Sequence, residues 1–205
     1  PARRAATNGL RTRAARAHDD GHRTRAPLVY EARSWQHGVL VASSVASETT
    51  AAATGAVGVV RRDSMAMKPF AGYNFGDYFQ HWLNVGAKLA HAPKIFHVNW
   101  FRQGADGKFL WPGFGDNLRV VSWILDRCDG KAQAQETAIG YLPRPQDIDT
   151  KGLDIDAGTM NELLSVKPDA WRKELADIRQ YLGEYGDRTP KVMYEELDAV
   201  EKRLN

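Results

Sequence analysis

One short interval of the sequence, residues 96–117, combines aromatic rings with an amide side chain. Its aromatic members are Phe96, Trp100, Phe101, Phe109, Trp111 and Phe114, and Asn117 closes it. A flat, electron-rich ring such as a nucleobase stacks on aromatic faces, and each stack contributes about 1–3 kcal/mol. Asn117 carries both a donor and an acceptor, so it can read the edge of a base. An aromatic hairpin packed into a core is the alternative interpretation, because aromatic rings are large apolar groups that proteins usually bury.

The residues around these rings predict the backbone that carries them. Residues 96–101 alternate between two faces, as a strand does, and Gly104 and Gly107 mark a turn after it. Residues 109–111 are typical of a returning strand, which Pro112-Gly113 would end.

A helix is predicted directly after these strands. It opens at Gly115-Asp116-Asn117 and ends near Gly130. We expect its buried face to consist of Leu118, Val121, Leu125 and Cys128. Backbone N–H groups at a helix start lack partners within the helix, so they could donate to a carbonyl oxygen such as guanine O6. Stacking would give affinity for any base, and the donor pattern would select guanine.

Four longer motifs resemble the C-terminal region of GTP-dependent phosphoenolpyruvate carboxykinase. They are PLVYEARSWQHGV (27–39), SETTAAATGAVG (47–58), RRDSMAMKPFAGYNFGDYFQHW (61–82) and IFHVNWFRQGADGKFLWPGFGDN (95–117). The resemblance continues more loosely to the C-terminus. It implies a mixed α/β (α+β) fold in which residues 27–205 form the C-terminal part of the nucleotide-binding domain.

The resemblance also implies which residues bind the nucleotide. Guanine is held in that family by three Phe and one Asn, which correspond here to Phe101, Phe109, Phe114 and Asn117. Gly115 and Asp116 lie between the last two and complete the expected guanine site, within a pocket that spans residues 96–117.

A lid over the active site is the second implied feature. The resemblance identifies residues 47–59 as an Ω-loop lid, which would exclude water from an enolate intermediate. Its named members are Ser47, Glu48, Thr49, Thr50, Ala51, Ala52, Ala53, Thr54 and Gly55. From the residues alone, this small-residue segment suits a mobile lid, a surface loop or a short Ala-rich helix. Ser64, just beyond it, stands where the family commonly has Pro, and we expect it to loosen the turn.

The activity implied is that of a lyase, a decarboxylase of gluconeogenesis that converts oxaloacetate and GTP to phosphoenolpyruvate, GDP and CO2. Such an enzyme would be a cytoplasmic monomer that uses manganese or magnesium. Its chemistry needs a Gly-rich phosphate loop ending in Lys-Thr and a metal site of Lys, His and Asp. No G-x-x-x-x-G-K-[ST] occurs in the sequence. We therefore expect this chain to contribute guanine recognition and the lid, with no catalytic residue, no metal ligand and no turnover by itself.

Composition narrows the other possibilities. The chain has 205 residues, of which 43% are hydrophobic, as in soluble globular proteins. No apolar run approaches the length of a membrane-spanning helix. The single cysteine, Cys128, excludes a disulfide framework and indicates a reducing compartment. His81, His91 and His97 have spacings that suit no ordinary zinc site.

Positive charge is concentrated in residues 1–26. This leader holds seven Arg and two Asp, so it carries more charge than the +3 of the whole chain. We expect it to be disordered, since it has few apolar side chains to bury. It could be an arm for nucleic acid or another anionic surface, a transit peptide, a tail without function, or the product of a shifted reading frame. The family resemblance implies small-molecule substrates, and neither nucleic acid nor membrane.

The remaining elements are predicted from apolar periodicity. Residues 27–41 are typical of strand, turn and strand, and residues 74–89 of a helix with an aromatic buried face. A loop is expected from 131 to 148. Two C-terminal helices are predicted after this loop. The first buries Trp171, Leu175, Ile178 and Leu182. The second begins with Thr189 as N-cap and Pro190 as first helical residue, and it buries Met193, Leu197, Val200 and Leu204.

Overall fold

A computed structural model of the chain describes residues 25–48 and 60–205. Its architecture is mixed α/β, with a four-stranded antiparallel sheet, a separate two-stranded ribbon and surrounding helices. The strands are β1 (Val29–Glu31), β2 (Ala46–Glu48), β3 (Val60–Arg62), β4 (Phe96–Val98), β5 (Gln135–Thr137) and β6 (Gly140–Leu142). The helices are α1 (Trp35–Ser43), α2 (Phe75–Ala87), α3 (Asn117–Cys128), α4 (Ala157–Leu164), α5 (Pro168–Gly183) and α6 (Lys191–Leu204). The predicted fold class is confirmed.

The sheet has the strand order β4-β1-β6-β5. Its inner strand β1 lies between two hydrophobic cores. Successive residues of a strand point to opposite faces. Val29 therefore packs into one core, while Tyr30 packs into the other and stacks on His97, its partner across the β1–β4 ladder. The two ring centroids are 5.1 Å apart.

We call the two cores the helical core and the pocket core. The helical core is built by α1, α2, α5 and α6, and it contains the predicted buried faces of α2 and both C-terminal helices. The pocket core is built by β1, β4, α3 and α4. Its buried members are Leu28, Val29, Phe96, Trp111, Val120, Trp123, Ile124, Cys128, Ile148, Met160 and Leu163.

Residues 35–43 form helix α1, so the second strand predicted within 27–41 is wrong. The Ser34 hydroxyl accepts from the His37 backbone N–H at 3.0 Å and caps the helix. Gly38 lets the helix approach β4, because a Cβ there would collide with Ile95. The apolar run of residues 39–42 is buried at all its positions, and a short apolar run of this kind suits a buried helix as well as a strand.

The loop predicted for 131–148 is also wrong in part, because β5 and β6 form a hairpin there. The Thr137 hydroxyl donates to the Gly140 carbonyl at 2.8 Å and closes the turn. A small difference is seen at α6 as well, where Pro190 is the N-cap, one position later than predicted, and Thr189 donates its hydroxyl to the Leu182 carbonyl instead.

The last two residues of the predicted leader are ordered. Ala26 is buried, and its carbonyl accepts from the Asn99 amide at 2.8 Å. Arg25 pairs with the buried carboxylate of Glu174 at 2.6 Å. The prediction for residues 1–24 lies outside the part of the chain that the structure describes.

Candidate functional site

The predicted base-binding interval begins where β4 leaves the sheet. The Asn99 side-chain oxygen accepts from the Phe101 backbone N–H at 3.2 Å and fixes the start of the turn. Gly107 has a φ of 74°, a left-handed conformation that glycine adopts without strain, and its N–H donates to the Gly104 carbonyl. The predicted turn is therefore confirmed. The predicted return strand 109–111 is reduced to a single bridge between Gln103 and Phe109.

Two of the three predicted base-binding rings meet directly. Phe101 and Phe109 lie on the two sides of the turn, with centroids 5.6 Å apart and an edge-to-face arrangement. Phe101 is half-buried, and Phe109 remains 51% exposed. The pair therefore presents aromatic surface to solvent, which excludes the alternative that the whole hairpin is packed into a core.

Phe114 is 95% exposed and has a φ of 48°. A left-handed backbone costs a residue with a Cβ about 1–2 kcal/mol. Gly113, just before it, has a φ of 80°, so two consecutive residues turn the chain sharply between Trp111 and α3. Non-glycine residues in this conformation are concentrated at functional sites.

Asn117 is half-buried at the first position of α3. The indole N–H of the buried Trp111 donates to its side-chain oxygen at 2.9 Å. Asp116 also has a partner on the protein, because its carboxylate accepts from the Arg119 guanidinium at 3.0 Å. Of these two predicted site residues, Asn117 keeps an amide NH2 without an acceptor among the described residues.

The backbone donors at the start of α3 are used only in part. A 3-10 turn, Phe114–Asp116, precedes the helix, and the N–H groups of Asp116 and Asn117 bond to Gly113 and Phe114 within it. Across the described ranges, the N–H groups of Phe114 and Gly115 have no acceptor. These two groups, and not the whole helix start, are the donors that a ligand carbonyl could use.

The buried face of α3 differs from the prediction. Cys128 is buried as expected, but Leu118 and Leu125 are 66% and 52% exposed, and Val121 is half-buried. The core is instead filled by Val120, Trp123, Ile124 and Cys128. Both sets follow helical spacing, and the aromatic Trp123, which lies edge-on to Phe96 with centroids 6.0 Å apart, decides which set faces inward.

Two buried charged residues that local sequence patterns do not reveal, Arg102 and Glu31, hold this region in place. Arg102 is completely buried and donates to the Ser165 carbonyl and hydroxyl and to Glu162, so it ties the aromatic turn to the end of α4. Glu31 on β1 accepts from Arg127 at 2.8 Å and from Lys94 at 2.7 Å, which ties α3 to the sheet. The sequence shows that these residues are charged, but no local pattern distinguishes them from charged residues on the surface.

Strands β2 and β3 form the base of the predicted lid. Arg62 on β3 pairs with Glu174 at 2.8 Å and with Asp177, both on α5. Ser64 is fully buried, and its hydroxyl donates to the Ser43 carbonyl at 2.7 Å and shares a hydrogen bond with the Tyr181 hydroxyl. Ser64 therefore anchors the turn and does not loosen it. Of the lid members, Ser47 and Glu48 lie on β2, and residues 49–59 lie outside the described residues.

A metal site is not assembled by the described residues. Within residues 25–48 and 60–205, no group of three or more His, Cys, Asp or Glu side chains is placed to hold a metal ion. In the same ranges, no helix has the length and apolar character needed to cross a membrane.

Comparison with known proteins places the chain in a family. The family model described as phosphoenolpyruvate carboxykinase C-terminal P-loop domain matches residues 17–203. The chain belongs to this family. The match begins ten residues before Pro27, so the similarity extends further toward the N-terminus than the motifs indicated.

Curated relatives carry the name phosphoenolpyruvate carboxykinase [GTP]. The protein of that name from Paenarthrobacter aurescens (strain TC1) is 50% identical over 184 residues, 89% of this chain and 30% of the relative. The one from Neocallimastix frontalis is 53% identical over 181 residues, and the one from Treponema pallidum (strain Nichols) is 49% identical over 183. The chain thus spans about 30% of the length of the curated relatives that it matches.

Proposed function

We propose that this chain is the C-terminal portion of a GTP-dependent phosphoenolpyruvate carboxykinase and that residues 99–117 recognise the guanine base. The observation that carries the proposal is the aromatic set of half-buried Phe101 and exposed Phe109 and Phe114, next to the half-buried amide of Asn117. These rings gain little from folding because they stay in contact with water, and they are removed from water when a flat ring stacks on them.

The site supplies the two kinds of contact that a nucleobase needs. The aromatic faces provide stacking, which does not distinguish between bases. The NH2 of Asn117 and the free N–H groups of Phe114 and Gly115 are all donors, so they favour the base that presents a carbonyl oxygen, which is guanine and not adenine. Base choice would therefore be made within one segment of the chain.

The wider proposal concerns the reaction. In the complete protein, oxaloacetate and GTP would be converted to phosphoenolpyruvate, GDP and CO2 in the cytoplasm, by a monomeric enzyme. The anchored ribbon of β2 and β3 supports the proposal that residues 47–59 act as the lid that keeps water from the enolate. Substrates would be small molecules, without nucleic acid.

Manganese or magnesium would serve this reaction as a Lewis acid. The described residues do not fit such a metal, because they form no cluster of ligand side chains. We therefore assign it no ligand in this chain, and no step of the proposed base recognition depends on it.

A nucleotide titration of the 205-residue chain tests the proposal. Backbone amide chemical shifts, recorded by NMR, would be followed with GDP and with ADP at about 50 mM and about 200 mM salt. We expect shifts in residues 99–117 and an affinity for GDP about three- to tenfold higher than for ADP, the effect of one or two hydrogen bonds.

A variant that lacks residues 1–24 is the control for the Arg-rich leader. It should bind GDP as the full chain does, because the aromatic site does not depend on the leader. Equal binding of ADP and GDP would contradict guanine recognition. Binding that disappears with the leader and falls steeply with salt would support the rival function, a nucleic-acid-binding or anion-binding tail.

A further inference from the structure

We propose that Trp111 is a positioning residue that orients the Asn117 amide, so that its NH2 and not its oxygen faces the base. The inference rests on the guanine site proposed above, and it assigns the preference for a 6-oxopurine to a residue that does not contact the base. Trp111 was predicted from its residue type only as one more aromatic ring of the interval.

The hydrogen bond between these residues has only one chemically possible direction. An indole N–H donates and does not accept, so the atom that faces it must be an acceptor. Trp111 Nε1 lies 2.9 Å from Asn117 Oδ1. The amide oxygen is thereby engaged on the protein side, and Nδ2 is left for the other side of the amide group.

Burial of Trp111 makes this orientation stable. The ring is 2% exposed and belongs to the pocket core, so its N–H has no access to water as a substitute partner. If the Asn117 amide rotated by half a turn, two donors would face each other and the buried indole N–H would lose its acceptor. Leaving a buried donor unpaired shifts the equilibrium by about five- to 150-fold toward the observed orientation.

The sharp turn at Gly113 and Phe114 is what brings the two residues together. Trp111 precedes Pro112 and Gly113, and Asn117 follows the 3-10 turn six residues later. The left-handed backbone at Phe114 therefore has two consequences. It exposes the Phe114 ring for stacking, and it places the Asn117 amide next to the buried indole of Trp111. The same turn sets both the stacking surface and the direction of the donor.

The consequence for the ligand is a choice between oxo and amino groups. An outward NH2 donates to the carbonyl at position 6 of guanine or hypoxanthine. It meets a second donor in the amino group at position 6 of adenine, which is unfavourable. An amide that is free to rotate would present its oxygen to adenine and lose this discrimination.

The test compares two Trp→Phe variants of the full chain. Trp111→Phe removes the N–H and keeps an apolar ring. Trp123→Phe is the matched control, because Trp123 is also 2% exposed, lies in the same core, and has an indole N–H without a partner among the described residues. Dissociation constants for GDP, IDP and ADP would be measured by the NMR titration described above.

We expect Trp111→Phe to reduce the ratio of GDP to ADP affinity by about three- to tenfold. IDP should follow GDP, since the two bases share the carbonyl at position 6. Trp123→Phe should leave the ratio unchanged. If the two variants change GDP and ADP binding alike, Trp111 is only a packing residue and the inference is wrong, while guanine recognition stands.

Two further measurements cover the case in which Trp111→Phe does not fold. Asn117→Asp keeps an acceptor for the indole and replaces the outward NH2 by oxygen, so it should lose the preference for GDP over ADP. Hydrogen exchange of the Trp111 indole N–H should accelerate in Asn117→Ala, without any nucleotide present. Unchanged exchange would overturn the inference directly. A wild-type chain with no preference for GDP or IDP over ADP would overturn the proposed function and, with it, this inference.

Discussion

Phe114 adds little to the stability of the fold, because its ring is almost fully exposed and its backbone is left-handed. We predict that Phe114→Ala weakens GDP binding by about 1–3 kcal/mol, the contribution of one base–aromatic stack. The free energy of unfolding should change by no more than about 0.5 kcal/mol, because the ring contacts little of the protein. Titration calorimetry and denaturant unfolding of the same variant would measure the two effects.

Phe70→Ala is the matched control for that substitution. Phe70 is 77% exposed and lies outside the aromatic turn, so its removal should leave both GDP affinity and stability unchanged. Equal loss of GDP affinity in the two variants would show that exposed Phe side chains bind the nucleotide without a defined site.

His37 gives the fold a pH dependence. Burial, followed by the charges of Arg203 and Arg33, lowers the pKa of His37 from its usual value to about 4. Its Nδ1 accepts from the Arg33 backbone N–H at 3.1 Å, which requires the unprotonated ring. Between pH 6.5 and pH 4 the unfolded chain binds this proton and the folded chain does not, so stability should fall as pH is lowered, by about 3 kcal/mol in total.

Denaturant unfolding at several pH values would test this sign. The His37→Asn variant keeps an acceptor near the Arg33 N–H but has no proton to bind, so its stability should depend less on pH in this range. The exposed His81→Asn should retain the wild-type slope. A wild-type slope in His37→Asn would assign the acid sensitivity to other groups.

Residue type and spacing indicate which residues are candidates for the site, but they do not indicate how the side chains are oriented. Phe101, Phe109, Phe114 and Asn117 are candidates by residue type, spacing and resemblance, and their role stays a prediction. The contact of the Trp111 indole with Asn117 could not be predicted, because it depends on two consecutive left-handed residues, one of which is not glycine. The sequence likewise gave no sign that Arg102 is buried, because its partners come from α4 and the segment after it, some 60 residues away.

Within the sheet, the start of β6 lies close to the backbone of β1 at Gly140. Gly140 has a φ of 142°, and a Cβ there would collide with the carbonyl oxygen of Glu31 on β1. We predict that Gly140→Ala destabilises the fold by about 2–4 kcal/mol through backbone strain and separation of β1 from β6.

Gly152→Ala separates these two causes. Gly152 has a φ of 82°, and a Cβ there would meet nothing within 4 Å, so the substitution introduces strain without a collision. It should cost about 1 kcal/mol, as measured by urea unfolding. A cost for Gly140→Ala no larger than that of Gly152→Ala would show that the sheet tolerates a wider spacing at this point.

The elements that could be predicted are those with one dominant apolar face. The apolar stripes of α2, α5 and α6 are interrupted by polar or charged residues. All the residues predicted to be buried in α5 and α6 are buried, and the predicted face of α2 is buried or partly buried in the same core. Helix α3 carries two candidate stripes, and a choice between them needs the position of Phe96. The central residues 38–42 of helix α1 are apolar or glycine and show no helical period, and such a short run also fits a strand.

For the whole molecule, the division into two cores separates the predicted functions. The aromatic site rests on the pocket core, whereas the ribbon of β2 and β3 and the adjacent Ser64 are tied to α5 of the helical core, through Arg62–Glu174 and Ser64–Tyr181. We predict that Leu197→Ala and Ile124→Ala, one in each core and both buried, each destabilise the chain by about 2–5 kcal/mol.

Their effects on nucleotide binding should differ. Ile124 lies on α3, so its truncation should also weaken GDP binding in the molecules that remain folded. Leu197→Ala should leave the affinity of the folded fraction unchanged, which an NMR titration below the unfolding transition would determine. Equal weakening by both would mean that the two cores act as one unit.

The chain by itself should not form phosphoenolpyruvate from oxaloacetate and GTP, even with manganese. It spans about 30% of its relatives, and its sequence contains no phosphate-binding loop of the G-x-x-x-x-G-K-[ST] type. A coupled assay for phosphoenolpyruvate, with a full-length relative as positive control, would measure this. Sustained product formation by the 205 residues would show that the catalytic groups lie within them.

The residues of the aromatic site are close together in the sequence, and this has a consequence for how the site can change in evolution. Every side chain proposed to select the base, and the indole that orients one of them, lies within residues 101–117. Under the proposed function, the choice of nucleotide can be inherited, lost or exchanged with this one short segment, without any change in the ribbon of β2 and β3 at the base of the predicted lid.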